Sequence, residues 1–257
     1  MCILAIQYRL VPEAPILVAM NRDERYDRPS TVPAIQSGKP RVLCGVDQEA
    51  GGTWLGVNQH GLLIAACNRP KSLAPLTPRS RGVLCRELLR SGSAREAVHK
   101  AMDELSSGQY DGVNFVCADA ESGWVVQGGN DLDAVELEDG LSIVSNGDVN
   151  DHRDERGKLA RRLLTLQTLD SPVKFLAVAS KVFARPAAIP NRPSMVTRGS
   201  EKGTVSSTLI ALGKKPRDAI FQHASDAPDR ARYEDYSPLL RDILSRGLRE
   251  SRSKAKA

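Results

Sequence analysis

The 257-residue chain is 41% hydrophobic and 26% charged, enough for one large domain with a sizeable core. Its net charge of +5 is concentrated in residues 246–257, where Arg246, Arg249, Arg252, Lys254 and Lys256 face only Glu250; the rest is nearly balanced, which argues against a nucleic-acid groove. No apolar run approaches the ~18 residues of a membrane span. The five cysteines form no C-x-x-C pair and follow no secretory signal, so free thiols in the cytoplasm are expected.

Residues 2–9 and 15–20 read as strands joined by a turn at Pro12–Pro15. Cys2, Leu4, Ile6 and Tyr8 share one face at period 2, and the second strand is a continuous apolar run suited to a sheet covered on both sides. The prolines in 21–41 predict an irregular loop. Strands follow at 42–46, 52–58 and 61–67, the last two joined as a hairpin through Gln59-His60. Helices are predicted at 79–91 and 94–106, the second capped by Ser93 with Glu96 three residues on. Strands return at 112–118, 123–128, 132–137 and 141–145, then helices at 154–168 and 172–184. A proline-containing loop (186–195), strands at 204–212 and 217–223, and a helix at 238–249 complete the chain. Hairpin-connected strands alternating with helix pairs predict a layered α+β domain over 1–245, with 246–257 as a disordered basic tail.

Cys2 stands directly after Met1. If Met1 is removed, one residue carries both a nucleophilic thiol and an α-amine of pKa ~7.7–8.0 to serve as its base. On its own, Cys2 also reads as a small apolar strand residue. The run Asn21-Arg22-Asp23-Glu24 has two readings as well. Arg22 could lower the thiol pKa and Asp23 orient the amine, or the charges could form a surface ion-pair knot with Arg25 and Asp27. Asn68 and Asn146 each end an apolar strand, as oxyanion donors or as turn residues. Trp54 sits among glycines, as a pocket wall or as core. The four histidines lack zinc spacing, and no nucleotide-binding or haem-attachment motif occurs, so neither metal nor cofactor is expected.

Asn21-Arg22-Asp23-Glu24 after an N-terminal Met-Cys resembles the signature of the NRDE family, also called the transport and Golgi organisation protein 2 family. Gly51-Gly52-Thr53-Trp54-Leu55-Gly56 resembles its GGTWLG block. Asn68-Arg69, Ser145-Asn146-Gly147 and Gly203-Thr204 follow in the family's order. The resemblance implies an N-terminal-nucleophile hydrolase fold, a four-layer αββα sandwich of two mostly antiparallel sheets. It is similar to the choloylglycine hydrolase and penicillin acyltransferase branch, which cleaves unactivated amides. It implies Cys2 as nucleophile, helped by Arg22, Asp23, Asn68 and Asn146, with Asn21 and Trp54 at the pocket. The chain departs from the pattern at Val205, where Arg is usual. Two functions follow as expectations. One is a cysteine amidohydrolase or acyltransferase acting on a small-molecule amide. The other is a non-catalytic carrier of a hydrophobic ligand, haem or an acyl-lipid.

Overall fold

The computed structural model describes residues 2–189 and 192–254. One antiparallel sheet has six strands: β1 (Cys2–Tyr8), β2 (Ile16–Arg25), β10 (Gly140–Val144), β11 (Lys202–Leu212), β12 (Ile220–Ala224) and β13 (Glu234–Asp235), in the order β10-β1-β2-β11-β12-β13. The other has seven, β3 (Ala34–Gln36), β4 (Val42–Cys44), β5 (Leu55–Asn58), β6 (Leu63–Asn68), β7 (Val113–Ala118), β8 (Gly123–Gly128) and β9 (Leu132–Glu136), each beside its sequence neighbour.

Period-2 alternation sorts the side chains into three apolar layers. Leu4, Ile6, Val18 and Met20 meet Leu63, Ala65 and Val116 between the sheets. Ile3, Ala5, Leu17 and Ala19 face the other way, against helices α3 (Glu155–Leu164) and α4 (Pro172–Phe183). Ile64, Phe115 and Cys117 back onto α1 (Arg81–Leu88) and α2 (Ala94–Ser106). The result is the αββα sandwich. Each fully buried Leu, Ile or Phe adds roughly 1.5–3 kcal/mol of apolar transfer energy.

The Ser93 cap is as expected, its Oγ accepting from Glu96 N–H at 3.2 Å. Several expectations need correction. The second strand does not end at residue 20; it runs to Arg25, because β11 pairs with it rung by rung from Leu212↔Ile16 to Lys202↔Arg25. The expected loop at 21–41 contains β3, held by β4. The basic tail is not disordered from residue 246. Helix α5 (Ser237–Lys254) continues through it. Leu240 and Ile243 lie in the core between the sheets. Further along, Gly247 packs so closely on Gln59 that a Cβ there would stand 1.9 Å from the Gln59 carbonyl oxygen. Gln59 Nε2 also donates to Glu250 at 2.7 Å. Residues 255–257 of that tail lie outside the described residues. Among the described residues, no helix is long and apolar enough to cross a membrane.

Candidate active site

Cys2 opens β1 and Arg22 lies opposite it on β2, on the same rung. Directly paired residues project from the same face of a sheet, so both side chains enter the space between the sheets. There they line a cleft of about 480 Å³ with Asp23, Trp54, Asn68 and the start of α1. The Arg22 guanidinium stacks over the Trp54 ring, 4.3 Å from its centroid. Its polar contacts are long: Ser30 Oγ at 3.4 Å and Glu24 at 3.7 Å. The ring face covers this desolvated cation, an arrangement worth ~2 kcal/mol in dry surroundings. Burial lowers the Arg22 pKa, while Glu24 and the Cys2 sulfur favour its charge. Trp54 is thus both a cleft wall and part of the inter-sheet core.

The Cys2 thiol is pushed down to about 7, chiefly because the Cys67 thiol hydrogen-bonds to it, with a further hydrogen bond from the Asp23 backbone N–H; burial and the Asp23 charge oppose the shift. Cys67 rises well above its ordinary value, because its own proton is held in the hydrogen bond to the Cys2 sulfur and it is fully buried. Its sulfur also lies 4.0 Å from the Val144 carbonyl, a second acceptor. Burial raises Cys44, Cys85 and Cys117. Of the five thiols, Cys2 alone is shifted toward thiolate. Sequence reading missed Cys67, although the inward alternation Leu63, Ala65, Cys67 could have placed it opposite β1.

Asp23 has the parity of Asn21, away from the Arg22 face. Near the strand end its carboxylate accepts from Thr204 Oγ1 at 2.7 Å and from the Arg156 guanidinium. Arg156 was not foreseen; it comes from α3, on the far side of the sheet. Val205, where an arginine was expected, is the extra residue of a β-bulge between the Thr204 and Ser206 rungs. The ion-pair knot exists, but further out, as Arg25–Asp27, Arg25–Glu49 and Arg28–Asp47.

Asn21 is not a pocket residue. It is fully buried on the helix-facing side, where its Nδ2 donates to the Phe183 and Met195 carbonyls at 2.9 and 2.8 Å. Parity decides this, since Asn21 shares a rung with outward-facing Ile3. Asn68 lines the cleft. Asn146 is outside the cleft lining; its Nδ2 donates to the Asn68 carbonyl at 2.6 Å, bracing that strand end. Of the GGTWLG glycines, Gly52 and Gly56 serve close packing, while Gly51 takes a positive φ of 71° with open space around it. A Cβ on Gly52 would stand 2.1 Å from the Gly82 backbone, so the cleft floor and α1 approach closely only without one. Among the described residues there is no cluster of three or more potential metal ligands.

The chain matches the family profile described as Transport and Golgi organisation 2 over residues 1–215. The mouse (Mus musculus) homologue is 32% identical over 126 residues, covering 46% of this chain and 45% of that protein. The human (Homo sapiens) homologue is 30% identical over 126 residues, with the same coverage. The matched region is thus about half the length of these curated relatives. Among solved structures, the N-acylethanolamine-hydrolyzing acid amidase ortholog of Caenorhabditis elegans has a TM-score of 0.54 at 14% identity, covering 81% of this chain and 92% of that one. Penicillin V acylase from Agrobacterium tumefaciens has a TM-score of 0.56 at 12% identity, covering 87% and 83%. At such identities the likeness concerns the fold alone: an N-terminal-nucleophile hydrolase architecture. The chain belongs to the transport and Golgi organisation 2 family.

Proposed function

We propose that this protein is a cysteine N-terminal-nucleophile hydrolase or acyltransferase acting on a non-peptide amide, with Cys2 as nucleophile. The observation that carries the reading is the single thiol shifted down to about 7, opening on a cleft with a cation on the adjacent strand. Solved structures of similar fold include one named as a hydrolysing amidase and one named as an acylase.

In this reading Met1 is removed, the Cys2 α-amine takes up the thiol proton, and the thiolate so formed attacks the amide carbonyl. Arg22 stabilises the thiolate. The Asn68 amide is the candidate oxyanion donor, a role worth ~3–4 kcal/mol when preorganised, and Asn146 braces it. Collapse of the tetrahedral intermediate breaks the C–N bond, and the leaving amine takes the proton from the α-ammonium. Water, or an acceptor amine, then resolves the thioester. The cleft lining includes Arg22, Arg28, Arg79, Arg81, Glu24, Asp47 and Glu49. That much charge suits a polar small-molecule amide better than haem or an acyl chain, so the carrier reading is not pursued. No cofactor takes part, and the reduced thiols fit a cytoplasmic setting.

The test is intact mass of protein from its own host, before and after incubation with a panel of N-acyl amides. Loss of Met1 and an acyl adduct on the N-terminal residue are expected. Retention of Met1 removes the base and ends the mechanism, as does an adduct elsewhere.

A further inference from the structure

We propose that Arg156 is a positioning residue of this site: its guanidinium holds the Asp23 carboxylate, and through it the Cys2 end of β1, against the strand ends that carry Asn68 and Asn146. The inference rests on the amidase reading for its consequence, and on geometry for its placement.

Asp23 is clamped from two other elements. Arg156 reaches it from α3 with both terminal nitrogens, and its Nη2 continues to the Met195 carbonyl at 2.7 Å. Thr204 reaches it from β11, and its Oγ1 is itself fixed as acceptor of the Thr197 N–H at 2.9 Å. The planar guanidinium fork suits two-pronged carboxylate binding as no ammonium does. The ion pair is well buried, with Arg156 15% and Asp23 6% exposed.

The same helix turn ties the other half of the site. Arg156 is the second residue of α3, whose N-cap is Asp154. Asp154 accepts a hydrogen bond from Ser145 Oγ. Ser145 directly precedes Asn146, which donates to the Asn68 carbonyl. One turn of helix therefore connects Asp23, whose backbone N–H reaches the Cys2 sulfur, to the strand end carrying the oxyanion candidate.

This placement is locally unfavourable. A cation in the first turn of a helix opposes the helix dipole. Arg156 Nε is buried with no hydrogen-bond partner, and an ion pair withdrawn from water is weak evidence of stabilisation. A locally unfavourable placement of this kind is expected where a residue serves a site.

The groups facing Cys2 are Cys67 on β6 and Asp23 and Arg22 on β2. Asp23's charge disfavours the Cys2 thiolate, and Arg156 offsets that charge. The experiment measures the rate of Cys2 carbamidomethylation by iodoacetamide against pH in wild type, Arg156→Gln, Arg156→Lys, Asp23→Asn and the Asp23→Asn/Arg156→Gln double variant. Rates are corrected for the folded fraction from circular dichroism. Amide turnover is measured alongside. Arg156→Gln should move the labelling midpoint upward, with labelling at pH 7 slower by about threefold or more, and Arg156→Lys should recover most of it. In the Asp23→Asn background Arg156→Gln should change little, because the effect passes through Asp23. Turnover should lose about tenfold or more in kcat with KM nearly constant. An unmoved midpoint in folded Arg156→Gln, or the same shift without Asp23, overturns the assignment. A wild type that labels at Cys2 but turns over no amide defeats the amidase reading, while the labelling cycle still decides Arg156.

Discussion

Cys67→Ala isolates the largest cause of the Cys2 shift. In the wild type, a Cys2 thiol at about 7 is about half thiolate at pH 7. Loss of the Cys67 donor leaves burial opposed only by weaker influences, returning the thiol to at least ~9, where about 1% is thiolate at pH 7. The thiolate population then falls about fifty-fold. Its intrinsic nucleophilicity rises in compensation. With a Brønsted coefficient of ~0.4–0.5, two pH units of basicity make each thiolate about eightfold more reactive. The net expectation is iodoacetamide labelling about sixfold slower than wild type at pH 7. The two profiles should cross, and near pH 10 the variant should label several-fold faster than wild type, since most of both thiols is then ionised. Cys67→Ser, which keeps a donor, should fall between. The assay is initial labelling rate across pH 5–10, with Cys2 identified by peptide mass. Superimposable profiles for wild type and Cys67→Ala, or a wild-type midpoint near 9, would refute the argument that Cys67 holds Cys2 as thiolate.

Arg22→Ala should slow both labelling and turnover at pH 7, and the loss should shrink as pH rises, because alkali restores the thiolate without the guanidinium; a pH-independent loss would mean that Arg22 acts by packing on Trp54. Cys2→Ser should abolish turnover with the fold intact, since serine is almost wholly un-ionised at neutral pH, and retained activity would end the nucleophile claim. Burial, helped by the Arg22 charge, lowers His223 to about 4, where it shares a hydrogen bond of 2.9 Å with Thr208 Oγ1. The unfolded state therefore binds more protons between pH ~6.5 and ~4, and stability must fall as pH drops through that window, by about 2 kcal/mol from pH 7 to pH 5. His223→Phe should flatten that part of the denaturation-midpoint profile, and an unchanged slope would exclude His223 as its source. Gly52→Ala forces a Cβ to 2.1 Å from the Gly82 backbone and should cost about 1–3 kcal/mol or more, read as a drop in Tm; an unchanged Tm would show that α1 can retreat freely.

Much of the architecture is legible in the chain because strand alternation and helix capping are local. Cys2, Leu4, Ile6 and Tyr8 share the inner face, as period 2 requires, and Ser93 starts its helix as its hydroxyl dictates. The Cys2–Arg22 pairing followed from the resemblance, and the register of two adjacent strands realises it. Local pattern could not show that β2 continues through a charged run, because the long partner β11 that pairs with it lies some 180 residues on. Nor could it assign Asn21, whose four-letter motif suggested the pocket while strand parity turned it toward α4. The basic end looked solvated because its composition is charged; it is helical because Leu240 and Ile243 dock upstream of it and Gly247 packs on Gln59. Cys67 and Arg156 belong to the site only in three dimensions. Thiol ionisation and carboxylate clamping depend on which groups meet within a few ångströms, and stacking two sheets between two helix layers brings together residues that no sequence spacing relates.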